Sequence, residues 1–486
     1  MTSAAPQSAA GMPWRKAAFA GLILAYFLYF NWDGLWAHFG ADDMMNMAFY
    51  WRMKSVRLAM HLFMPWLGAY RPMAGVYYLS LLHTFGLNPA PFHAVLLTIL
   101  AGNLYLVYRF ARRLGTTILQ AGMAALIVAY HAGLSNLYYD TAYIYDVLCF
   151  SFYMGAFLCY ARVRAQGRLP RAVESALVVG LCLAALNSKE MALTLPVMLL
   201  AYELIYHAPV EWSFRWLVGP GRVTLYCGAL KLIYLYGKAF GRNAMMQAAS
   251  YRPELSLRRI FTFEKASMDS LFLLGQTLNW RGVVLVWILL AYLAWRRPRP
   301  ALRFCWVFVM FTPPPLAVLE GRGAACLYIP LAGWAVFAAV ALTGLASAAA
   351  QFLSGEPILR RAGFGPLFAA LLLIALYAWM KQNAYLKREV ALPAMKDVGR
   401  QTAVVLDQMR ALDPHVKSGT HIAFRNDPFQ DWDMLFIAEL WFRDHSLQFH
   451  ILNKTPLPPE ELAKMTVFDF REGRIVQLTG GGSPRP

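Results

Sequence analysis

Residues 325–345 read ACLYIPLAGWAVFAAVALTGL, a run without one charged side chain. About 20 apolar residues in helical rise match the hydrocarbon thickness of a bilayer, so this run predicts a membrane-spanning helix. Working outward from it, comparable apolar blocks recur near 17–32, 92–110, 117–134, 142–161, 173–187, 190–206, 222–236, 281–295, 303–319 and 363–380. The 486-residue chain is 59% hydrophobic and only 15% charged, with a mean hydropathy of +0.42. Soluble domains average about 45–50% apolar and about 25% charged residues. The expected fold class is an all-α polytopic membrane protein of about eleven transmembrane helices, followed by a small soluble α/β domain. The chain divides into a cytoplasmic N-terminal segment (1–16), a transmembrane module (17–384) and an extracytoplasmic C-terminal domain (395–486).

The net charge of +18 is unevenly spread. From Tyr385 onward there are 13 basic and 13 acidic residues, and the first 384 residues hold 32 basic and 14 acidic ones. The excess therefore sits in membrane connectors, which argues for positive cytoplasmic loops and against nucleic-acid binding. Arg109/Arg112/Arg113, Arg162/Arg164/Arg168/Arg171, Arg215, Arg296/Arg297/Arg299 and Arg360/Arg361 then face the cytoplasm with the N-terminus, and an odd span count puts the tail outside. The basic pair Arg15-Lys16 precedes a run ending in Tyr29-Phe30-Asn31-Trp32, bulkier than a signal-peptide cleavage site, so it reads as a retained first helix. The stretch 264–278 reads as interfacial. All six cysteines lie in apolar segments without metal or redox spacing and read as small hydrophobes.

Residues 33–91 mix aromatic and charged residues with breakers at Pro65, Pro72, Pro89 and Pro91, and read as helices along the membrane surface. Residues 237–263 form a basic external stretch (Lys238, Arg242, Arg252, Arg258, Arg259), which reads either as a loop whose orientation is set elsewhere or as a site for an anion such as phosphate. In the tail, 397–411 and Asp433–Phe442 have helical spacing. His421–Phe424 and Leu447–Leu452 read as strands, and Thr466–Phe470 with Arg474–Leu478 read as a hairpin around Arg471-Glu472-Gly473.

Four external segments carry the side chains a phosphate-linked substrate needs. Asp42-Asp43 follows the first span; adjacent carboxylates do not share a helix face, so one can serve as general base while the other places the acceptor. The plainer alternative is a solvated pair at a helix N-terminus. Tyr70-Arg71-Pro72 is followed by Gly86-Leu87-Asn88-Pro89, His93 and Asn103, where Arg71 reads either as an interfacial anchor or as a phosphate ligand. Asn187-Ser188-Lys189-Glu190 reads either as a local ion pair or as a lysine facing the bundle. Arg322 lies in Glu320-Gly321-Arg322-Gly323, ahead of Leu327-Tyr328-Ile329-Pro330, where the planar guanidinium suits a phosphate leaving group. There is no Walker motif, no dinucleotide-binding glycine pattern and no His/Cys metal cluster.

In this order and spacing the chain resembles the GT-C class of polytopic glycosyltransferases. It is most similar to the branch of protein O-mannosyltransferases that carry tetratricopeptide repeats, and their bacterial relatives. The resemblance rests on Asp42-Asp43, on Tyr70-Arg71-Pro72 with Gly86–His93 and Asn103, and on His131 lying ahead of Asp146. It also rests on Ser188-Lys189-Glu190 with Tyr202-Glu203-Leu204, and on Arg322 before Leu327–Gly333. It covers roughly residues 17–345. Ala132, Asn136 and Ile144 depart from that branch's usual Pro, Glu and Arg, and the small α/β tail stands where the repeats would be.

The resemblance implies an inverting transfer of sugar from a polyprenyl- or dolichyl-phosphate carrier to an extracytoplasmic acceptor, which is a protein, lipid or glycan; because such a donor carries a monophosphate that cationic side chains can neutralise, no metal is expected. Asp43 and Asp42 are then the catalytic pair, Asp43 removing the acceptor proton and Asp42 helping to place the acceptor, although either could be the base. Arg71, His93, Lys189, Glu190, Arg259, Arg322 and Tyr328 form the donor and phosphate side, and His131, Asp140 and Asp146 the acceptor side. The lipid-linked donor is a substrate, so no cofactor is expected. The partners are the bilayer, the donor lipid and the acceptor, and a bacterial inner membrane suits the compact loops. The competing class is a secondary transporter or lipid flippase, which predicts duplicated halves and ionisable groups at the bilayer midplane. A non-catalytic scaffold for the tail has no use for the Asp pair.

Overall fold

The computed structural model of the chain describes residues 13–207, 213–241, 251–275, 277–296, 299–319, 321–322, 324–355, 363–479 and 483–484. Helices of eight residues or more are numbered in chain order. α1 (Pro13–Asn31) leads into three helices that fill the first long connector: α2 (Ala41–Trp51), α3 (Ser55–Phe63) and α4 (Pro72–Phe85). Next come α5 (Pro89–Arg113), α6 (Ile118–Ala129), α7 (Ile144–Arg164), α8 (Ala172–Ser188), α9 (Leu195–Tyr206) and α10 (Arg222–Phe240). α11 (Leu257–Leu271), α12 (Trp280–Arg296), α13 (Pro300–Phe311), α14 (Tyr328–Gly355) and α15 (Phe364–Leu386) complete the bundle. Each of the apolar blocks read from the sequence is occupied by a helix. Among the described residues, five helical stretches are long and apolar enough to cross a membrane alone: 17–36, 89–113, 141–164, 324–355 and 364–412. The chain is an integral membrane protein.

Local chemistry sets the helix ends. The Asn88 side chain accepts from the Ala90 N–H (3.2 Å), Pro89 opens α5, and Arg112-Arg113 close it against the helix dipole. Thr117 and Gln120 cap α6 reciprocally. The charge-free run 325–345 becomes the central helix. Its apolar stretch is 83% buried by other helices, against 6% for the one that begins at Phe364. The two ends of α7 are held differently. Near its start Asp146 meets Lys189, and at its finish Arg164 grips Glu203 of α9 through two bonds of 2.7 and 2.9 Å. Eighteen residues of rise, about 27 Å, separate the two pairs, so the Tyr202-Glu203-Leu204 piece is a clamp at the far end of the bundle.

The helix at Phe364 continues through Lys387–Ala391 and Leu392–Asp397 into the tail without a break in helical backbone apart from one π turn. The tail has α16 (Arg400–Leu412), β1 (His421–Arg425), α17 (Asp433–Phe442), β2 (Gln448–Ile451), β3 (Thr466–Arg471), β4 (Arg474–Thr479) and β5 (Ser483–Pro484). The strand order is β2-β1-β3-β4-β5; β1 is parallel to both neighbours, and β3 and β4 form the expected hairpin.

α17 packs on α2. Arg52 donates to Glu439 (2.8 Å) with its guanidinium 5.6 Å above the Phe436 ring, and Trp51 stacks on His445 at 3.9 Å. Gly399, with a positive φ of 74°, sits where a Cβ would lie 2.3 Å from the Phe39 carbonyl oxygen, so both its conformation and its close approach require glycine. The tail is thereby seated directly against the connector that carries Asp42 and Asp43.

Candidate functional site

The Asp pair opens α2, and its two members part company. Asp42 is exposed and Asp43 is fully buried. Asp43 Oδ2 accepts from the Gly40 N–H (2.9 Å), one half of a capping box. Its Oδ1 accepts from Thr141 Oγ1 (2.5 Å) and lies 3.3 Å from the Tyr78 hydroxyl. Burial and the neighbouring Asp140 push the Asp43 carboxyl well above the usual carboxylate range, against the pull of those donors. Asp140, one residue before Thr141, accepts from the Ala142 N–H (2.9 Å). Burial raises its carboxyl to about 6; the Ala142 N–H opposes this and Asp42 adds to it. Asp433 of the tail belongs to the same neighbourhood, its carboxyl raised by burial and by Asp431 and Asp42. Asp42 and Asp140 therefore face the outside of a carboxylate group whose inner member, Asp43, is fixed by protein donors.

A second group of charges lies one aromatic layer away. Arg71 is buried with a positive φ of 38° and bonds Glu190 through Nη2 (2.8 Å) and Nε (3.4 Å). Its guanidinium lies 4.8 Å from the Tyr70 ring centroid, 5.0 Å from that of Tyr145 and 6.0 Å from that of Tyr251. Arg322 stands 4.4 Å from the same Tyr251 ring. Lys189 Nζ donates to Asp146 Oδ2 (2.6 Å) and approaches Cys326 Sγ (3.1 Å). Lys238 donates to the Ala69 carbonyl (2.6 Å). Glu190 therefore has Arg71 in direct contact and Lys238 within electrostatic reach. Among the described residues, four cations thus face two carboxylates. The link to the Asp group runs through Tyr50, whose hydroxyl bonds the Arg71 carbonyl (2.9 Å) and whose ring stacks on Tyr78.

The adjacent Lys189 and Glu190 do not pair with each other. Each crosses to a different element, Lys189 to Asp146 of α7 and Glu190 to Arg71 before α4. Arg71, Lys189, Glu190, Arg322 and Asp146 are brought together, and Asp42, Asp43 and Asp140 form the second group.

Four expected site residues stand elsewhere. His93 is buried within α5 on the bundle side, beside Phe92 and His38. Tyr328 is buried and stacks on Phe150 at 4.2 Å. His131 bonds the Leu271 carbonyl through Nε2 (3.0 Å) and meets Trp379 edge-on, which fastens α11 to the bundle. Arg259 pairs with Glu254 at 2.5 Å. Glu320, Gly323 and Arg242 lie outside the described residues.

Sequence reasoning missed Thr141, Tyr78, Tyr145, Tyr251 and the inward turn of Lys238. Of the aromatic residues around Arg71, Tyr70 was already in view as part of the Tyr-Arg-Pro piece. Among the described residues no three His, Cys, Asp or Glu side chains stand at metal-ligand spacing.

No family model and no curated protein matches the chain. Solved structures do. ArnT from Cupriavidus metallidurans, bound to undecaprenyl phosphate, matches with a TM-score of 0.51 and 13% identity over 95% of this chain and 94% of that one. The chain has the GT-C fold. The apo state of the same ArnT gives 0.51 and 12% over 94% and 92%. The Archaeoglobus fulgidus oligosaccharyltransferase, tethered to an acceptor peptide, gives 0.49 and 12% over 90% of this chain and 64% of that one. In the GT-C frame of this chain, both charge groups sit at the same end of the bundle as Asp146 and away from Arg164. The O-mannosyltransferase branch does not appear among these matches.

Proposed function

We propose that the chain is a glycosyltransferase that moves a sugar from a polyprenyl-phosphate carrier to an acceptor outside the cytoplasm, with inversion at the anomeric carbon. The observation that carries this reading is the buried four-cation, two-carboxylate group set one tyrosine layer from a partly exposed carboxylate group. Net positive charge in a buried site favours a phosphate, and tyrosine rings beside guanidinium planes suit the sugar and its link to that phosphate. The GT-C fold, and an ArnT that binds undecaprenyl phosphate, support the class of donor.

In the proposed step the acceptor's hydroxyl oxygen or amine nitrogen attacks the anomeric carbon. The bond from that carbon to the phosphate oxygen breaks, and its electron pair leaves with the polyprenyl phosphate. The acceptor's proton passes to the Asp42/Asp140 pair. Asp140 near 6 is close to the value a base needs at neutral pH. This revises the role given to Asp43, whose carboxylate oxygens are taken by Gly40, Thr141 and Tyr78. Asp43 positions the pair from behind. Arg71, Lys189 and Arg322 stabilise the charge that grows on the leaving phosphate. Four cations can do this without a metal, so transfer is expected to survive a chelator.

The direct test incubates the purified protein in lipid with a radiolabelled polyprenyl-phosphate sugar and tracks label into an acceptor fraction. Label that stays in lipid across hexose and pentose donors, with the protein folded, rejects the reading. Topology is tested separately. Single cysteines at Ser135 and Ser446 should react with an impermeant reagent from outside intact cells, and one at Gln166 should not. The opposite pattern puts the site in the cytoplasm and removes the external acceptor.

A further inference from the structure

The Gly86-Leu87-Asn88-Pro89 turn takes no part in either charge group, yet it forms one wall of a cleft of about 450 Å³ between the membrane module and the tail. Phe85 and Asn88 line it from the module, and Trp441 and Phe442 from the end of α17. Two guanidiniums complete it from separate tail helices. Arg410 of α16 donates through Nη2 to the Leu87 carbonyl (3.1 Å) and through Nη1 to Asp407 (2.5 Å). Arg443, just after α17, donates through Nε to the Leu440 carbonyl (3.2 Å), and among the described residues no carboxylate lies within ion-pair distance of it. Gly86 makes room for this: its φ of +61° suits glycine, and a Cβ there would stand 3.2 Å from Arg443 Nη2.

The start of α5 sets the depth of the cleft relative to the bilayer. Asn88 caps that helix and the candidate span begins at Pro89, so the cleft opens at the membrane surface. Phe85 is 49% exposed there. Aromatic side chains with guanidiniums at that level match the headgroup layer, where Trp and Tyr collect and phosphates are met by Arg.

We infer that this cleft between the 86–89 turn and the tail holds the phosphate of an anionic membrane lipid, with Arg410 and Arg443 as its ligands and the aromatic wall along its glycerol and upper acyl region. The bound lipid fastens the tail to the membrane surface. The site is distinct from the Arg71 group and needs no transfer to be detected.

The test uses the full chain in nanodiscs of phosphatidylcholine alone or with phosphatidylglycerol mixed in, and reads lipids retained on the protein by native mass spectrometry. The wild type should retain phosphatidylglycerol over phosphatidylcholine, and the Arg410→Gln/Arg443→Gln variant should retain it about tenfold less, each cation near an anionic lipid being worth about a factor of several. Unfolding temperature in pure phosphatidylcholine checks that the variant is folded; if it is not, Arg443→Gln alone, which breaks no ion pair, carries the test. Phosphatidylglycerol should also slow protease cutting of the tail in the wild type and not in the variant. Equal retention by a folded variant overturns the proposal. Equal protection of the tail by inorganic phosphate in detergent assigns the cleft to a soluble anion and overturns the lipid assignment.

Discussion

Replacing Asp42 and Asp140 together by Asn is expected to lower transfer by about 10²–10⁴-fold, the loss expected on removal of a general base, without lowering the unfolding temperature. Asn keeps the shape of both side chains. At 140 it still accepts from the Ala142 N–H, and at 42 it stays an exposed residue in a first helical turn. Asp43→Ala should behave in the reverse way. It strands the Gly40 N–H, the Thr141 hydroxyl and part of the Tyr78 bonding in the interior, at about 1–3 kcal/mol for each donor left unsatisfied, so the loss of activity comes with a loss of folded protein. Thermal unfolding and label transfer, measured on the same preparations, separate the two. The wild-type rate should rise with pH through about 6, as Asp140 loses its proton, and that limb should vanish in Asp140→Asn. A folded, inactive Asp43→Asn beside a fully active Asp42/Asp140 double variant would return the base to Asp43.

The second large effect concerns the crossed ion pairs. Lys189 and Asp146 are both buried, with side chains 6% and 3% exposed. Lys189→Met leaves the Asp146 carboxylate without its partner and should cost about 3–5 kcal/mol of stability. Adding Asp146→Leu removes the stranded charge and should restore most of that stability, since a buried pair replaced by apolar residues is often neutral. Transfer should stay lost in the restored double variant, because the phosphate still lacks a cation. Recovery of stability together with activity would make Lys189 a structural residue only. The comparison pair is Arg52–Glu439, with Arg52 44% exposed, whose removal should cost only about 0.2–1 kcal/mol.

How far the sequence carries toward this picture differs by element. The apolar blocks, the helical character of the stretch before Pro89 and the order of strands and helices in the tail were all readable, because hydrophobic period and breakers are local properties. The site was readable as a set of residue types. Its pairing was not. Lys189 and Glu190 left open a local ion pair or a lysine turned into the bundle; neighbouring residues near a helix end point in different directions, and each found its partner on another element. Asp42 and Asp43 were interchangeable in sequence for the same reason; only the packing of Thr141 and Tyr78 decides which of them is buried. His93 and Tyr328 were drawn in by their neighbours in sequence and His131 by the resemblance, and all three lie buried, packed into the bundle. Tyr251 had no local signature at all.

The seating of the tail on α2 has a mechanical consequence. That helix is 11 residues long, a rod of about 16 Å. The tail holds it at both ends: through Trp51 and Arg52 at one, and at the other through Val398 and Gly399, which pack on Gly40 and Phe39 beside Asp42 and Asp43. A rod held this way has few independent motions: a tilt of the tail swings the carboxylates, and a shift of the carboxylates pulls on the tail. Whatever the tail touches is therefore coupled to the reacting end through both ends of one short helix.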